Sequence, residues 1–217
     1  MKPLVLALLL IGSVAQAQEA GGRGKVLYDK WCAGCHGETG RGDGSAAAYM
    51  LPRPRDFTTA LYQIRTTASG QIPTDGDMMR VIDVGMPGTA MPGWSSRLSA
   101  GDRRELVTHL KSFSRFFTGP APEVVEPEGG PRASAEGLEE GRQLYQRLEC
   151  WKCHGNAGRA DGPSAPTLRD RAEFPIPPAN LTQNWRFNGG GDVEDIYLRL
   201  LTGLDGTPMP TSKDLLD

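Results

Sequence analysis

Several things are scarce in this sequence. Histidine occurs three times in 217 residues and cysteine four times. No basic tract gives the electrostatic footprint of a nucleic-acid binder, and the formal net charge is only −2. The longest apolar run, Leu4 to Ile11, falls well short of the roughly 20 residues that a membrane-spanning helix needs. Yet it follows Lys2 and precedes Ala15-Gln16-Ala17, a small-x-small site. That is the layout of a secretory signal peptide cleaved near Ala17. No cysteine lies near the cut, which argues against a lipid anchor there. The mature protein is expected to begin near Gln18, to reside in the periplasm and to stay out of the membrane. About 200 residues then remain, room for two domains of roughly 100 each.

Breakers, by contrast, are abundant. The chain has 28 glycines and 17 prolines, about a fifth of its residues, against roughly an eighth in average proteins. Long irregular stretches must follow, and a large buried cofactor would organise them. All four cysteines fall in two copies of one pentapeptide, Cys32-Ala33-Gly34-Cys35-His36 and Cys150-Trp151-Lys152-Cys153-His154. Cys-x-x-Cys-His is the attachment signature of c-type haem. Residues three apart share one face of a helical turn, so both thiols reach the vinyl groups on one porphyrin edge. The adjacent imidazole is then held under the iron as proximal ligand. Two disulfides, a thioredoxin-like dithiol or a zinc site would use the same cysteines. None of these requires a histidine directly after each pair.

Cys150 stands 118 residues after Cys32, and Met209 stands 118 residues after Met91. Around them, Gly85-Met86-Pro87-Gly88-Thr89-Ala90-Met91-Pro92 aligns with Gly203-Leu204-Asp205-Gly206-Thr207-Pro208-Met209-Pro210. Gly40-Arg41-Gly42-Asp43-Gly44 echoes Gly158-Arg159-Ala160-Asp161-Gly162, and Pro54-Arg55-Asp56-Phe57-Thr58 echoes Pro178-Ala179-Asn180-Leu181-Thr182 with a shift. The pattern is that of an internal duplication. It selects the second axial ligand, because Met86 is matched by Leu204, which cannot bind iron. Met91 and Met209 recur together, each before a proline that pushes it out of helical conformation. A thioether on such a loop can cross the porphyrin to the face opposite histidine, favouring reduced iron and raising its potential. The spare imidazole, His109, lies in a helix expected over Ser99 to Phe113, with Ser99 as N-cap and Asp102 in the first turn. Leu106, Leu110 and Phe113 share a face of that helix. His109 falls off this stripe and is expected to face solvent.

These motifs resemble the class I cytochrome c family, once in each half of the mature chain. The resemblance implies an N-terminal helix leading into the haem motif, a loop bearing the axial methionine, and a final helix crossing the first. Gly24-Lys25-Val26-Leu27-Tyr28 and Gly141-Arg142-Gln143-Leu144-Tyr145 then open each half. By the resemblance, the glycine permits close helix approach and the tyrosine packs on the last helix. The implied fold is mainly α: two tandem class I cytochrome c domains with long Gly/Pro-rich loops wrapped around haem. The divisions are a signal peptide at 1–17, a first domain at 18–117, a Pro-rich linker at 118–134 and a second domain at 135–217. Seven residues, Thr211 to Asp217, follow Pro210. The second domain is therefore expected to lack its C-terminal helix, with the chain truncated, continued in further sequence, or completed by a partner's helix.

The cofactors expected are two covalently bound haem c groups, attached through Cys32, Cys35, Cys150 and Cys153. Iron would be held by His36 with Met91 and by His154 with Met209. Six-coordinate iron leaves no open position for a substrate, which points to a carrier passing electrons between donor and acceptor proteins. The alternatives are the cytochrome subunit or N-terminal part of a larger oxidoreductase complex, and a dihaem enzyme with one labile axial ligand. Arg53, Arg55 and Arg65 are candidates to pair with haem propionates. Trp94 and Trp185 are candidates to line haem pockets, and Trp31 and Trp151 to pack beside the attachment motifs.

Overall fold

A computed structural model describes residues 22–127 and 134–215. The expected signal peptide at 1–17 lies outside the described residues, as does part of the expected linker. The architecture is helical. Seven α-helices are joined by long loops and short 3-10 turns, and no strand forms among the described residues. None of these helices is long and apolar enough to cross a membrane.

In the first half, α1 (Gly22–Trp31) runs into the four-residue α2 (Ala33–His36). Then come α3 (Asp75–Val84) and α4 (Ala100–Ser112). Ser99 caps α4 by accepting from the Asp102 amide at 3.1 Å, as the sequence led us to expect. Thr74 caps α3 in a reciprocal capping box with Asp77. The core gathers Leu27 and Tyr28 from α1, Met78 and Ile82 from α3, and Leu106, Val107 and Leu110 from α4, with Phe57, Trp94 and Leu98 from the loops.

The helix crossing depends on Gly24. A Cβ there would lie 2.1 Å from the Glu105 carbonyl oxygen and 2.9 Å from the His109 Cβ, so α4 meets the backbone of α1 directly. Tyr28 sits one turn on, its ring 5.2 Å from that of His109 and 5.0 Å from that of Phe113. His109 is thus half-buried against Tyr28 rather than solvent-facing. The apolar stripe alone misplaced it, because the Gly24 crossing draws the edge of α4 against α1.

Burial lowers the basicity of the His109 imidazole below its ordinary 6.5, against a smaller opposing pull from Asp29. The unfolded chain therefore binds this proton more readily than the folded one. Stability is fully present above about pH 6.5 and declines as pH falls from there toward the folded-state value. His109→Gln is expected to flatten that part of a melting-temperature profile taken from about pH 7.5 to about pH 5.

The second half comprises α5 (Ala135–Arg147), the short α6 (Trp151–His154) and α7 (Val193–Thr202). Its α5 repeats α1 with one extra residue before the cysteine motif. Cys32 donates to the carbonyl of Tyr28, four residues back, and Cys150 to that of Tyr145, five back. Glu149, at φ 58°, absorbs the insertion in left-handed conformation. Nothing crosses α5 among the described residues. It buries no side chain, Leu138 is exposed, and a Cβ on Gly141 would meet no atom within 4 Å.

Candidate haem-binding sites

Each cysteine motif is shaped by the same set of hydrogen bonds. In the first, Gly37 donates to the carbonyl of Ala33, Gly42 to that of His36 and Gly44 to that of Cys35, at 2.8, 2.8 and 3.1 Å. In the second, Gly155 donates to Trp151, Ala160 to His154 and Gly162 to Cys153, at 2.8, 2.9 and 3.2 Å. The Gly-Arg-x-Asp-Gly echo in the sequence is therefore a loop that folds back onto the carbonyls of its own attachment motif. Tyr28 and Tyr145 close each turn, donating at 2.7 Å to the carbonyls of Gly37 and Gly155.

The histidines are oriented in the same way. His36 Nδ1 lies 3.0 Å from the carbonyl oxygen of Arg55, and His154 Nδ1 lies 2.9 Å from that of Ala179. A carbonyl only accepts, so Nδ1 carries the proton and Nε2 keeps its lone pair. Backbone fixing of one ring nitrogen is the usual support for a metal-binding imidazole. Burial, the largest influence, holds the His36 basicity below its ordinary value, partly opposed by the Arg55 carbonyl. The neutral form that can ligate a metal is thus the one the fold favours.

The methionine loops match as well. Met86 donates to the carbonyl of Met91 at 3.1 Å, and Leu204 to that of Met209 at 3.1 Å. Thr89 Oγ1 donates to the Met86 carbonyl at 2.8 Å and accepts from the Met91 amide at 3.1 Å. Thr207 does the same for Leu204 and Met209, at 2.8 and 3.2 Å. Each loop springs from a helix end, α3 at Gly85 and α7 at Gly203, both with positive φ. These two helices were not foreseen from the sequence, although Thr74-Asp75-Gly76-Asp77 carried a capping signal for the first of them.

Cys32, Cys35, His36 and Met91 line one cleft, together with Trp31, Phe57, Ile64, Met78, Ile82 and Trp94. Cys150, Cys153, His154 and Met209 line another, with Leu148, Leu168, Ile176, Leu200 and Leu204. Both clefts are predominantly apolar. Met50, Met78 and Met86 also line the first, whereas Met209 is the one methionine lining the second. Trp94 lies where expected; Trp185 does not, being 70% exposed and absent from the second cleft.

The chemistry of these clefts suits a porphyrin. Their thiols are unpaired, and the two pairs face different clefts, so they form neither a disulfide between halves nor a four-thiolate site. Burial and the neighbouring Cys35 push the Cys32 thiol up to about 11, and burial raises Cys150. A redox dithiol needs the opposite shift to supply a thiolate. Two buried polar atoms at the first cleft, Tyr62 Oη and Arg53 Nε, have no partner among the described residues. With Arg55, also at this cleft, they are donors suited to carboxylates such as haem propionates. Arg65 is not at the cleft. It is fully buried between the halves, its guanidinium satisfied by carbonyls and by Asp205.

A helical scaffold with a Cys-x-x-Cys-His turn, a backbone-fixed imidazole and a methionine loop on one apolar cleft defines a c-type cytochrome. The family model for cytochrome c oxidase, cbb3-type, subunit III matches residues 19–110. The chain thus contains a c-type cytochrome domain, of the class that binds haem c covalently and carries electrons. It is similar to a chain of the Kuenenia stuttgartiensis reducing HAO-like protein complex Kustc0457/Kustc0458. The two are 44% identical with a TM-score of 0.87, and the match covers 92% of this chain and 91% of that one. No curated protein matches the sequence.

Proposed function

We propose that this chain is a dihaem cytochrome c of the periplasm, built of two haem domains and passing electrons between redox proteins. One observation carries the dihaem reading. The hydrogen bonds that shape the attachment turn, orient the histidine and stiffen the methionine loop occur twice, each set around its own cleft. In this reading Cys32, Cys35, Cys150 and Cys153 anchor the two groups. His36 with Met91, and His154 with Met209, supply the axial ligands. Bound haem c supplies one-electron chemistry at each cleft. The protein's own contribution is to fix the imidazole tautomer, present the sulfur and keep the surroundings apolar.

The haem-to-protein ratio of chain matured in a cell that attaches haem c is expected to be two, with protein mass raised to match. A ratio of one would refute the second site. Mass spectrometry of the same sample is expected to find Gln18 at the N-terminus, and retention of Met1 would refute export with cleavage near Ala17.

The likeness to a component of a named protein complex favours one extension: the chain works as the cytochrome subunit of a larger oxidoreductase complex. Purification of the native protein under gentle conditions is then expected to bring down a second redox polypeptide in fixed proportion. Elution as a lone polypeptide would count against it.

A further inference from the structure

We propose that Arg65, in the first half, is a positioning residue for the Met209 loop in the second half. The inference rests on the reading of Met209 as a haem ligand and adds a control over it from the opposite half.

The helix that leads into this loop, α7, ends at Thr202, and its final carbonyls need donors from outside the helix. Arg65 supplies one, its Nη2 donating to the Thr202 carbonyl at 2.7 Å. The same nitrogen lies 2.9 Å from Asp205 Oδ1, midway along the turn from Gly203 to Met209. Asp205 is tied down further by the Ser69 hydroxyl and the Gly70 amide, both at 2.9 Å and both in the first half. Arg65 is in turn held by its own half, donating through Nη1 to Tyr62 at 2.8 Å and through Nε to Ala68 at 3.2 Å. From α7, Arg199 returns the contact, donating to the carbonyls of Arg65 and Gln63.

This clamp is no part of the repeat. Asp205 aligns with Pro87, which cannot make an ion pair, and Val84, the counterpart of the fully buried Thr202, is 59% exposed. The Met209 loop therefore has an anchor that the Met91 loop lacks. A side chain with 0% exposure, bonded at every edge, offers a single geometry. Breaking it frees the start of the loop while leaving untouched the Thr207 bonds that shape its end.

The test uses the full haem-loaded protein, reduced and mixed with carbon monoxide, together with the ferric absorption band that reports thioether ligation. Met209→Ala identifies which centre answers to that loop. Asp205→Ala and Arg65→Met are expected to speed carbon monoxide binding at that centre about tenfold, the scale of an ordinary coupling between sites, and to weaken its thioether band. The other centre stays unchanged, and Arg65→Lys restores part of the effect. Asp205→Ala decides the matter if Arg65→Met fails to fold, since Asp205 lies nearer the surface. Unchanged kinetics in Asp205→Ala, or equal change at both centres, would overturn the positioning role while Met209 remains a ligand. A Met209→Ala protein with both centres unaltered would instead overturn the ligand assignment beneath it.

Discussion

On the dihaem reading proposed above, Met91→Ala is expected to leave two haems that no longer behave alike. After reduction, carbon monoxide should bind rapidly at one of them, and one of the two potentials should fall by on the order of 0.2 V, a quarter of the roughly 0.8 V that axial ligation spans. The direction follows from the sulfur, a soft ligand that favours ferrous iron, so its loss stabilises the ferric state. The selectivity follows from geometry. The second cleft has its own methionine loop with its own threonine brace, and shares no lining residue with the first. Met86 is the necessary control, because it lines the first cleft too. Met86→Leu, which copies Leu204, is expected to change neither property. If Met86→Leu opens the site and Met91→Ala does not, the repeat has selected the wrong sulfur.

The second large effect lies in the helix crossing. Gly24→Ala places a methyl group 2.1 Å from a backbone oxygen of α4, which cannot turn aside as a flexible side chain would. Forcing α1 and α4 apart disturbs Leu27, Tyr28, Leu106 and Leu110 together, a loss of about 2–3 kcal/mol. At a few degrees per kcal/mol, the melting temperature should drop by about 5–10 °C. The matching substitution in α5 has the opposite sign. Gly141→Ala meets nothing within 4 Å and relieves a mid-helix glycine, a gain of about 0.5–1 kcal/mol. Two glycines at corresponding points of a repeat thus answer oppositely. Equal melting shifts in the two variants would show that α5 is covered as α1 is.

What the sequence made legible was whatever depends on short spacing. The attachment turns, the matched pair of methionine loops and the helix capped by Ser99 all rest on patterns within a few residues or on one fixed offset. The crossing at Gly24 was anticipated through family resemblance rather than through composition. Other features were hidden by distance. Arg65 is a propionate candidate by sequence and Arg199 carries no signal there, because their partners lie 134 to 137 residues away. Nothing local distinguishes an arginine that will cap a remote helix from one that will face water. Trp185 misled for a related reason: aromatic character signals burial on average, but a 3-10 turn over Asn184–Arg186 turns this ring outward. The Pro178 echo was weak as sequence, since Arg55 is replaced by Ala179. What the two share is a main-chain carbonyl facing a histidine, and residue identity does not encode that.

Repeated segments in a gene usually remain modules, free to be lost, swapped or multiplied. Here each copy has surrendered an arginine to the other's main chain, and one copy retains almost no buried hydrophobic side chain except Leu198 among its described residues. Cutting the chain between the copies would take Thr202 and Asp205 from the buried Arg65, and the Gln63 and Arg65 carbonyls from Arg199, so neither copy can be excised without leaving a guanidinium short of partners.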